Sequence, residues 1–271
     1  MRRRPLIPQT YVDSVRKAVH QLLRQAGIVS APVDIWRLAH YQNVVEIRES
    51  ALGSTDAQLT PEGGGFVIDL NAFANPQRKR FSIAHEIAHT FFNPVTRSYR
   101  RSRAITVSRA RPETLIEESL CDIAASEMLM PEGLFQPFAN TRSPAIGNIQ
   151  QLATLFDTSL EATALRYATL GPKGIQVTAW SRNYSRIIPK WNKGAQVLLV
   201  EPYRFREADT FAQWCIAKAY FTRDLVSGHD VELSCYPPKR IWLEAQGFRQ
   251  GSGRYVLSLM QSAFSPSMGT T

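Results

Sequence analysis

The sequence lacks any apolar run long enough to cross a bilayer, which predicts a protein without a membrane span. Its basic start, MRRRPLIPQT, is not followed by the apolar stretch of a secretory signal. Cysteine is scarce, and Cys121, Cys215 and Cys235 are odd in number and far apart. Such cysteines fit thiols in a reducing compartment better than a disulfide framework. We therefore expect a cytoplasmic protein.

Acidic residues are also fewer than basic ones, with 23 Asp and Glu against 32 Lys and Arg, a formal net charge of +9. This balance is compatible with a polyanionic partner such as nucleic acid, and equally with a soluble protein that carries arginine-rich loops. We favour the second interpretation, because a basic balance alone is not specific. The 271 residues, 44% of them hydrophobic, suffice for one large or two modest domains with real cores.

Periodicity predicts an α+β fold with helices first and strands later. Apolar residues at helical spacing predict helices over 11–26, 32–41, 75–92, 113–130 and 147–170, the last range holding two short helices. Short strands are predicted at 44–47 and 66–70. After the linker Gly171–Gly174 the pattern becomes mostly β, with strands at 175–180, 196–200, 231–235, 240–245 and 255–260 and a helix at 207–220.

One predicted helix contains His85-Glu86-Ile87-Ala88-His89 within RFSIAHEIAHTFF. Residues four apart share a helix face, so the imidazoles of His85 and His89 project side by side and can bind one Zn²⁺. Glu86 then lies beside the metal and can take a proton from its water. The apolar flanks indicate that this helix is buried, where a metal would satisfy its polar groups. Without a metal, or with a structural zinc only, the same pattern would have no catalytic meaning.

A catalytic zinc of this kind needs a third protein ligand and an open position for water. The next helix, EESLCDIAASEMLMP, offers Glu117, Glu118, Asp122 and Glu127. Glu118 can share a side with Cys121 and Asp122, because it precedes them by three and four residues. The alternative is that these acids lie on the surface, and we expect this of Glu127.

The two motifs together resemble the ImmA/IrrE family of metallopeptidases. In that family a phrase like RF-x-x-AHE-x-x-H is followed about one helix later by E-x-x-A/C-N/D-x-x-AA-x-LLMP. The resemblance implies that His85, His89 and Glu118 bind the metal, that Glu86 is the catalytic glutamate, and that Asp122 supports a ligand histidine. It extends from PVDIWRLA near the N-terminus to Leu170 and is weak after Gly171.

The resemblance also implies an architecture. We expect a mainly helical, zincin-like metallopeptidase domain with a small sheet at 1–135 and a helix-turn-helix-like segment at 136–171. A C-terminal α+β domain of sensor-like type is expected at 172–271, with a regulatory or partner-binding role. The aromatic residues of that last region could line a pocket, although core packing is the more common role: Trp180, Tyr184, Trp191, Tyr203 and Trp214.

Members of the family typically cleave a helix-turn-helix transcriptional repressor and so switch on stress or mobile-element genes. The resemblance therefore implies a zinc endopeptidase with a repressor as partner; Mn²⁺ or Fe²⁺ also suit a His₂Glu site. Two alternatives remain, a general degradative protease and a DNA-binding regulator whose metal site is secondary.

DNA binding would use the helical pair 147–170, with Arg166 as the main candidate for reading base edges, and the arginine-rich loop Arg97–Arg111 for phosphates. We favour packing or repressor docking for the helical pair. Tyr99 and Arg80 are candidates for a transition-state donor, and a structural role is the preferred expectation for both.

Overall fold

The computed structural model describes residues 7–92, 112–141, 143–183, 186–194, 210–233, 239–250 and 253–262. The Arg97–Arg111 loop, Tyr99 and the strand expected at 196–200 lie outside these ranges. The chain divides into two compact units, Met1–Leu134 with Leu155–Ser159 and Phe135–Thr154 with Leu160–Thr271. The three-part division expected from the sequence stays a prediction.

The first unit begins with helices and a small sheet. Its elements are α1 Gln9–Gln25, α2 Ile35–Tyr41, β1 Val44–Ser50, β2 Ala57–Glu62, β3 Gly65–Asn71, α3 Pro76–His89 and α4 Pro112–Leu129. Asp34 caps the N-terminus of α2, where its carboxylate accepts the Arg37 N–H at 3.0 Å. Asn75 caps α3 in the same way, by accepting the Arg78 N–H, and Pro76 is the first residue of that helix. The expected helices are therefore present, and α3 ends three residues earlier than predicted.

The sheet of the first unit has the order β1-β3-β2, with β1 parallel and β2 antiparallel to the central strand. Gly63 and Gly64 have φ values of 57° and 82°, so they form the two-residue hairpin turn that joins β2 to β3. Strand β2 was not predicted, because its sequence AQLTPE is polar and contains Pro61. A proline is tolerated there because β2 is an edge strand.

Helices α3 and α4 pack against each other in the core of the first unit. Helix α3 is buried continuously from Ser82 to His89, and α4 contributes buried residues on the facing side. The aliphatic members of this core come from all the helices and from the sheet, among them Leu22, Leu38, Ile68, Ile87 and Met128. The histidine motif thus lies on a helix whose backbone is held rigidly by packing.

The remaining helices, α5 Glu132–Ala139, α6 Ile146–Phe156 and α7 Leu160–Leu170, include the expected short pair around Asp157. The rest of the second unit consists of β4 Ile175–Asn183, β5 Arg186–Gly194, α8 Thr210–Thr222, β6 Leu225–Leu233, β7 Lys239–Gln250 and β8 Gly253–Ser262. The strands form one antiparallel sheet in the order β5-β4-β8-β7-β6.

Helix α8 packs on the sheet of the second unit through small and aliphatic residues. Ala212, Cys215, Ile216 and Ala219 form one core with strand residues that include Trp180. The expected α+β class and the C-terminal α+β region are confirmed by these elements. Among the described helices, none is both long enough and apolar enough to cross a membrane.

Candidate metal centre

His85 and His89 lie one turn apart on α3 and face α4. Their ring centroids are 4.8 Å apart with an interplanar angle of 81°, and both residues are buried. The spacing of four residues brings the rings to one side of the helix, and packing of α3 against α4 leaves them little freedom. The sequence expectation that the two imidazoles are neighbours is met by this geometry.

Glu118 of α4 lies near the Nε2 atom of each ring. Its Oε2 lies 3.2 Å from His85 Nε2, and its Oε1 lies 3.7 Å from His89 Nε2. The Glu118 side chain is partly exposed, whereas the histidines are almost enclosed. Two imidazole nitrogens and one carboxylate therefore converge on a point that solvent can approach from the Glu118 side.

The opposite nitrogens of the two rings contact other residues of α4. Asp122 Oδ1 lies 3.0 Å from His85 Nδ1, which is the supporting position that the resemblance implies for Asp122. Cys121 Sγ lies 3.0 Å from His89 Nδ1, and Glu117 Oε1 lies 3.6 Å from the same atom. Each ring thus has its Nδ1 side occupied by α4 and its Nε2 side turned to Glu118.

The acids around His85 change its protonation. Burial lowers the pKa of His85, but hydrogen bonds to Asp122 and Glu118 and the charge of Glu86 outweigh it and raise the pKa from 6.5 to about 9. The surrounding carboxylates therefore favour the protonated form of the His85 ring when no metal is bound. A concentration of negative charge strong enough to hold that proton is also suited to a divalent cation.

The donor atoms lie close enough together to hold a metal ion between them. Ligand atoms at Zn–N and Zn–O distances of about 2.0–2.1 Å are separated by about 3.3–3.5 Å in a tetrahedron. Glu118 Oε2 lies 3.2 Å from His85 Nε2, and Glu118 Oε1 lies 3.7 Å from His89 Nε2, so each carboxylate oxygen is near this separation from one of the two rings. Ligand atoms of His85, His89 and Cys121 also all lie within 4.8 Å of one another. Of the two third ligands, Glu118 faces both Nε2 atoms, whereas Cys121 contacts the Nδ1 of His89.

Glu86 lies between the two histidines in sequence and is buried beside them. Its Oε2 accepts a hydrogen bond of 3.1 Å from the Leu59 N–H of β2. This N–H donates to Glu86 and not to the neighbouring strand β3. The backbone of the edge strand thereby fixes one carboxylate oxygen, a contact that no side-chain motif could have predicted.

Two candidate residues of the first unit have structural contacts, which were expected for Arg80 but not for Glu127. Glu127 was expected at the surface, but it is 0% exposed, and its Oε1 accepts from the Glu132 N–H at 2.9 Å and lies 2.9 Å from His20 Nε2. That expectation was wrong because α1 packs over this side of α4. Arg80 donates to the Asp157 carbonyl at 3.1 Å and to the Val33 carbonyl at 2.9 Å, which is a structural role.

In the second unit, the burial of Arg166 and of the tryptophans bears on the roles considered for them. Arg166 is only 6% exposed, so it does not offer its guanidinium to a base edge in this conformation. Trp180 belongs to the core and donates its Nε1–H to Ser258 Oγ at 2.7 Å, whereas Trp214 is 51% exposed on α8. Tyr184, Tyr203 and the side chain of Trp191 lie outside the described part of the chain.

Comparison with known proteins gives a family and two curated relatives. Residues 43–167 match the family of the IrrE N-terminal-like domain, Peptidase_M78. A radiation response metalloprotease IrrE of Deinococcus deserti is 26% identical over 171 residues, which is 60% of this chain and 56% of the relative. The protein of the same name from Deinococcus radiodurans is 30% identical over 131 residues, 46% of this chain and 36% of the relative. This chain therefore spans about half or less of the curated relatives it matches.

One solved structure resembles most of the fold. It is described as a transcriptional regulator of Mycobacterium tuberculosis, with a TM-score of 0.64 at 12% identity over 93% of this chain and 77% of the other. At that identity the likeness concerns the fold alone. The sequence match, by contrast, covers β1 to α7 and includes His85, Glu86, His89 and Glu118. Residues 43–167 match the IrrE N-terminal-like domain, and this match together with the two relatives supports the expected resemblance to the ImmA/IrrE family.

Proposed function

We propose that this protein is a zinc-dependent, site-specific endopeptidase that cleaves a helix-turn-helix transcriptional repressor and so derepresses stress or mobile-element genes. The observation that carries the proposal is the Glu118 carboxylate, which faces the Nε2 atoms of both His85 and His89 at 3.2 and 3.7 Å. The family match supports a metallopeptidase. A cytoplasmic location remains part of the proposal.

The residues divide the chemistry between them. His85, His89 and Glu118 would hold the metal, with zinc as the first choice and Mn²⁺ or Fe²⁺ as alternatives for the same donor set. When bound, the metal supplies an acidified water and polarises a peptide carbonyl. Glu86, a buried carboxylate beside the site, would act as the base that takes a proton from the attacking water and as the acid that gives it to the leaving amine.

The Leu59 N–H has a part in this mechanism because it holds Glu86 Oε2 at 3.1 Å. The strand backbone thereby fixes the position of the carboxylate that would act as the base. Asp122 keeps the His85 ring in place through Nδ1 at 3.0 Å, so the Nε2 atom stays directed at Glu118. These contacts pre-organise the base and the ligands before substrate arrives.

The choice of a repressor as substrate rests on the family resemblance. The curated relatives are named for a radiation response and for a metalloprotease, which is consistent with a regulatory peptidase rather than a degradative one. A DNA-binding regulator is the second candidate, favoured by the net charge of +9. The burial of Arg166 counts against base reading by α7.

Purified protein should be incubated with the helix-turn-helix repressor encoded beside its gene, with zinc, with a chelator, and with the chelator followed by zinc. We expect one defined cut in the repressor that the chelator abolishes and zinc restores, shown by intact-mass analysis of the fragments. No metal-dependent cleavage of that repressor would contradict the proposed substrate. Unfolded casein as a second substrate separates a general protease, which would digest it, from a site-specific one.

Glu86→Gln is the matched control because it preserves the size of the side chain and the acceptor for the Leu59 N–H. We expect this variant to bind zinc like the wild type while cleavage falls by roughly 10²- to 10⁴-fold. If Glu86→Gln relieves repression in cells as well as the wild type does, peptidase activity is not what relieves it, and the DNA-binding alternative is correct.

A further inference from the structure

We propose that Cys121 is a positioning residue of the metal centre, which holds His89 through Nδ1 so that its Nε2 faces the metal. This inference rests on the proposed function, because it assigns His89 Nε2 and Glu118 to the metal. The Cys121 Sγ lies 3.0 Å from His89 Nδ1, and both residues are almost completely enclosed. Cys121 would thus do for His89 what Asp122 does for His85.

The two contacts come from adjacent residues of α4. Asp122 Oδ1 and Cys121 Sγ each lie 3.0 Å from the Nδ1 of one ring, and Glu118, one turn earlier, faces the Nε2 of both. An imidazole that binds a metal through Nε2 carries its hydrogen on Nδ1 and needs an acceptor there. One turn of α4 therefore supplies the third ligand and an acceptor for each ring.

The distance argues that the thiol contacts the ring and does not share a metal with it. Nitrogen and sulfur ligands of one tetrahedral zinc, with bonds of about 2.05 and 2.3 Å, lie about 3.5 Å apart. The observed 3.0 Å between Cys121 Sγ and His89 Nδ1 is shorter than that, so the sulfur and the ring nitrogen are in direct contact. Cys121 contacts His89 at Nδ1, whereas Glu118 faces Nε2 of the same ring, so a ligand set that includes Glu118 uses the nitrogen that the thiol does not contact.

A thiol at this position has a physical advantage over a second carboxylate. The rings of His85 and His89 are already surrounded by acids: Glu118 faces both rings, Asp122 and Glu86 act on His85, and Glu117 Oε1 lies 3.6 Å from His89 Nδ1. Another buried anion would add like-charge repulsion and desolvation. A thiol, by contrast, can accept a ring N–H without bringing the charge of a carboxylate.

The test is metal binding by the full-length protein. Co²⁺ would replace Zn²⁺ as a spectroscopic probe, and affinity for both ions would be measured by competition with a chromogenic chelator. The variants are Cys121→Ala, Cys121→Ser and, as the matched control, Cys215→Ala, which removes another buried thiol from the core of the second unit. Circular dichroism would confirm that each variant is folded before its affinity is compared.

We expect Cys121→Ala to bind Co²⁺ and Zn²⁺ roughly 10- to 100-fold more weakly, which is the usual effect of losing such a support. Cys121→Ser, which keeps an acceptor, should recover part of the affinity, and Cys215→Ala should bind like the wild type. The wild-type Co²⁺ spectrum should show tetrahedral visible bands without a sulfur-to-cobalt charge-transfer band. In the zinc-bound protein, nitrogen NMR should detect a protected Nδ1–H on His89 that exchanges faster in Cys121→Ala.

Two results would overturn the inference in different ways. A sulfur-to-cobalt band that disappears in Cys121→Ala would make Cys121 a ligand rather than a support. Unchanged affinity and an unchanged His89 Nδ1–H signal in folded Cys121→Ala or Cys121→Ser would remove any role for the thiol. If no variant and no wild type binds either ion, the proposed metal centre itself is wrong, which is distinguishable from a failure of the Cys121 assignment alone.

Discussion

Among individual residues, Glu118 is the one whose substitution tests whether the third metal ligand beside the two histidines is Glu118 or Cys121. Because its carboxylate is the group that touches the Nε2 of both histidines, we expect Glu118→Gln to lose stoichiometric zinc, about one ion per chain in the wild type. Metal analysis after dialysis measures this directly. Glu127→Gln is the comparison, since it alters another acid of α4 that contacts His20 instead. Full zinc retention in Glu118→Gln would transfer the third-ligand role to another residue.

A second residue, Glu244 in the sheet of the second unit, makes stability depend on pH. Burial raises the pKa of Glu244 above 4.5, although the Ile146 N–H, which donates to its Oε2 at 2.7 Å, lowers it. The folded state therefore holds the proton more tightly, so Glu244 favours folding most below pH 4.5 and loses that contribution as the pH rises through the folded pKa.

Glu244→Gln tests this sign, because the amide keeps an oxygen for the Ile146 N–H and has no charge. We expect the variant to melt at a higher temperature than the wild type at pH 7 and at the same temperature near pH 4. The measurement is a pair of thermal melts at each pH. A variant that is less stable at pH 7 would mean that the charged hydrogen bond outweighs the cost of burial.

Between elements, the contact of α1 with α4 depends on a buried carboxylate. His20 Nε2 lies 2.9 Å from Glu127 Oε1, and the same oxygen accepts the first N–H of α5. We expect His20→Ala to lower the free energy of unfolding by about 1–3 kcal/mol, because the carboxylate loses a charge-assisted partner. Urea unfolding measures the change. His40→Ala, at an exposed histidine of α2, should differ from the wild type by less than about 0.5 kcal/mol.

The edge strand β2 allows the Leu59 N–H to be removed without disturbing the sheet. That N–H donates to Glu86 and not to β3, and Pro61, two residues further along, already lacks an N–H with the same orientation. We expect Leu59→Pro to bind zinc normally and to cleave the repressor at least about tenfold more slowly, because Glu86 loses its fixed orientation. Leu59→Ala keeps the N–H and should retain the wild-type rate; equal rates for all three would exclude the contact from catalysis.

The elements around the site were predicted to different degrees. Helices α3 and α4 were predictable because their apolar residues recur at helical spacing and their ends carry capping residues and prolines. Strand β2 was not, because an edge strand satisfies only one of its two sides and tolerates a polar sequence with proline. The site residues on the helices were therefore named in advance, and the contact of β2 with Glu86 was not.

For the whole molecule, the two compact units suggest separate unfolding. Each unit has its own hydrophobic core, and the candidate metal centre belongs to the first. We expect calorimetry to show two transitions, of which zinc raises one and a chelator lowers it, while the other stays in place. A truncated chain that ends at residue 171 keeps the candidate metal centre. It therefore tests whether the domain boundary expected from the sequence lies there. One transition that shifts as a whole would contradict separate unfolding.

The α+β class, the paired histidines and Glu86 followed from the order and spacing of residues, and the resemblance to the ImmA/IrrE family singled out Glu118 among several acids. This was possible because the candidate ligands lie on helices, where the spacing of residues determines which side chains share a face. The burial of Glu127 against His20, the Leu59 N–H on Glu86 and the Cys121 contact with His89 depend on which surfaces pack together. Those contacts join residues 27 to 107 positions apart, and their energies arise from burial and hydrogen-bond geometry that only folding brings about.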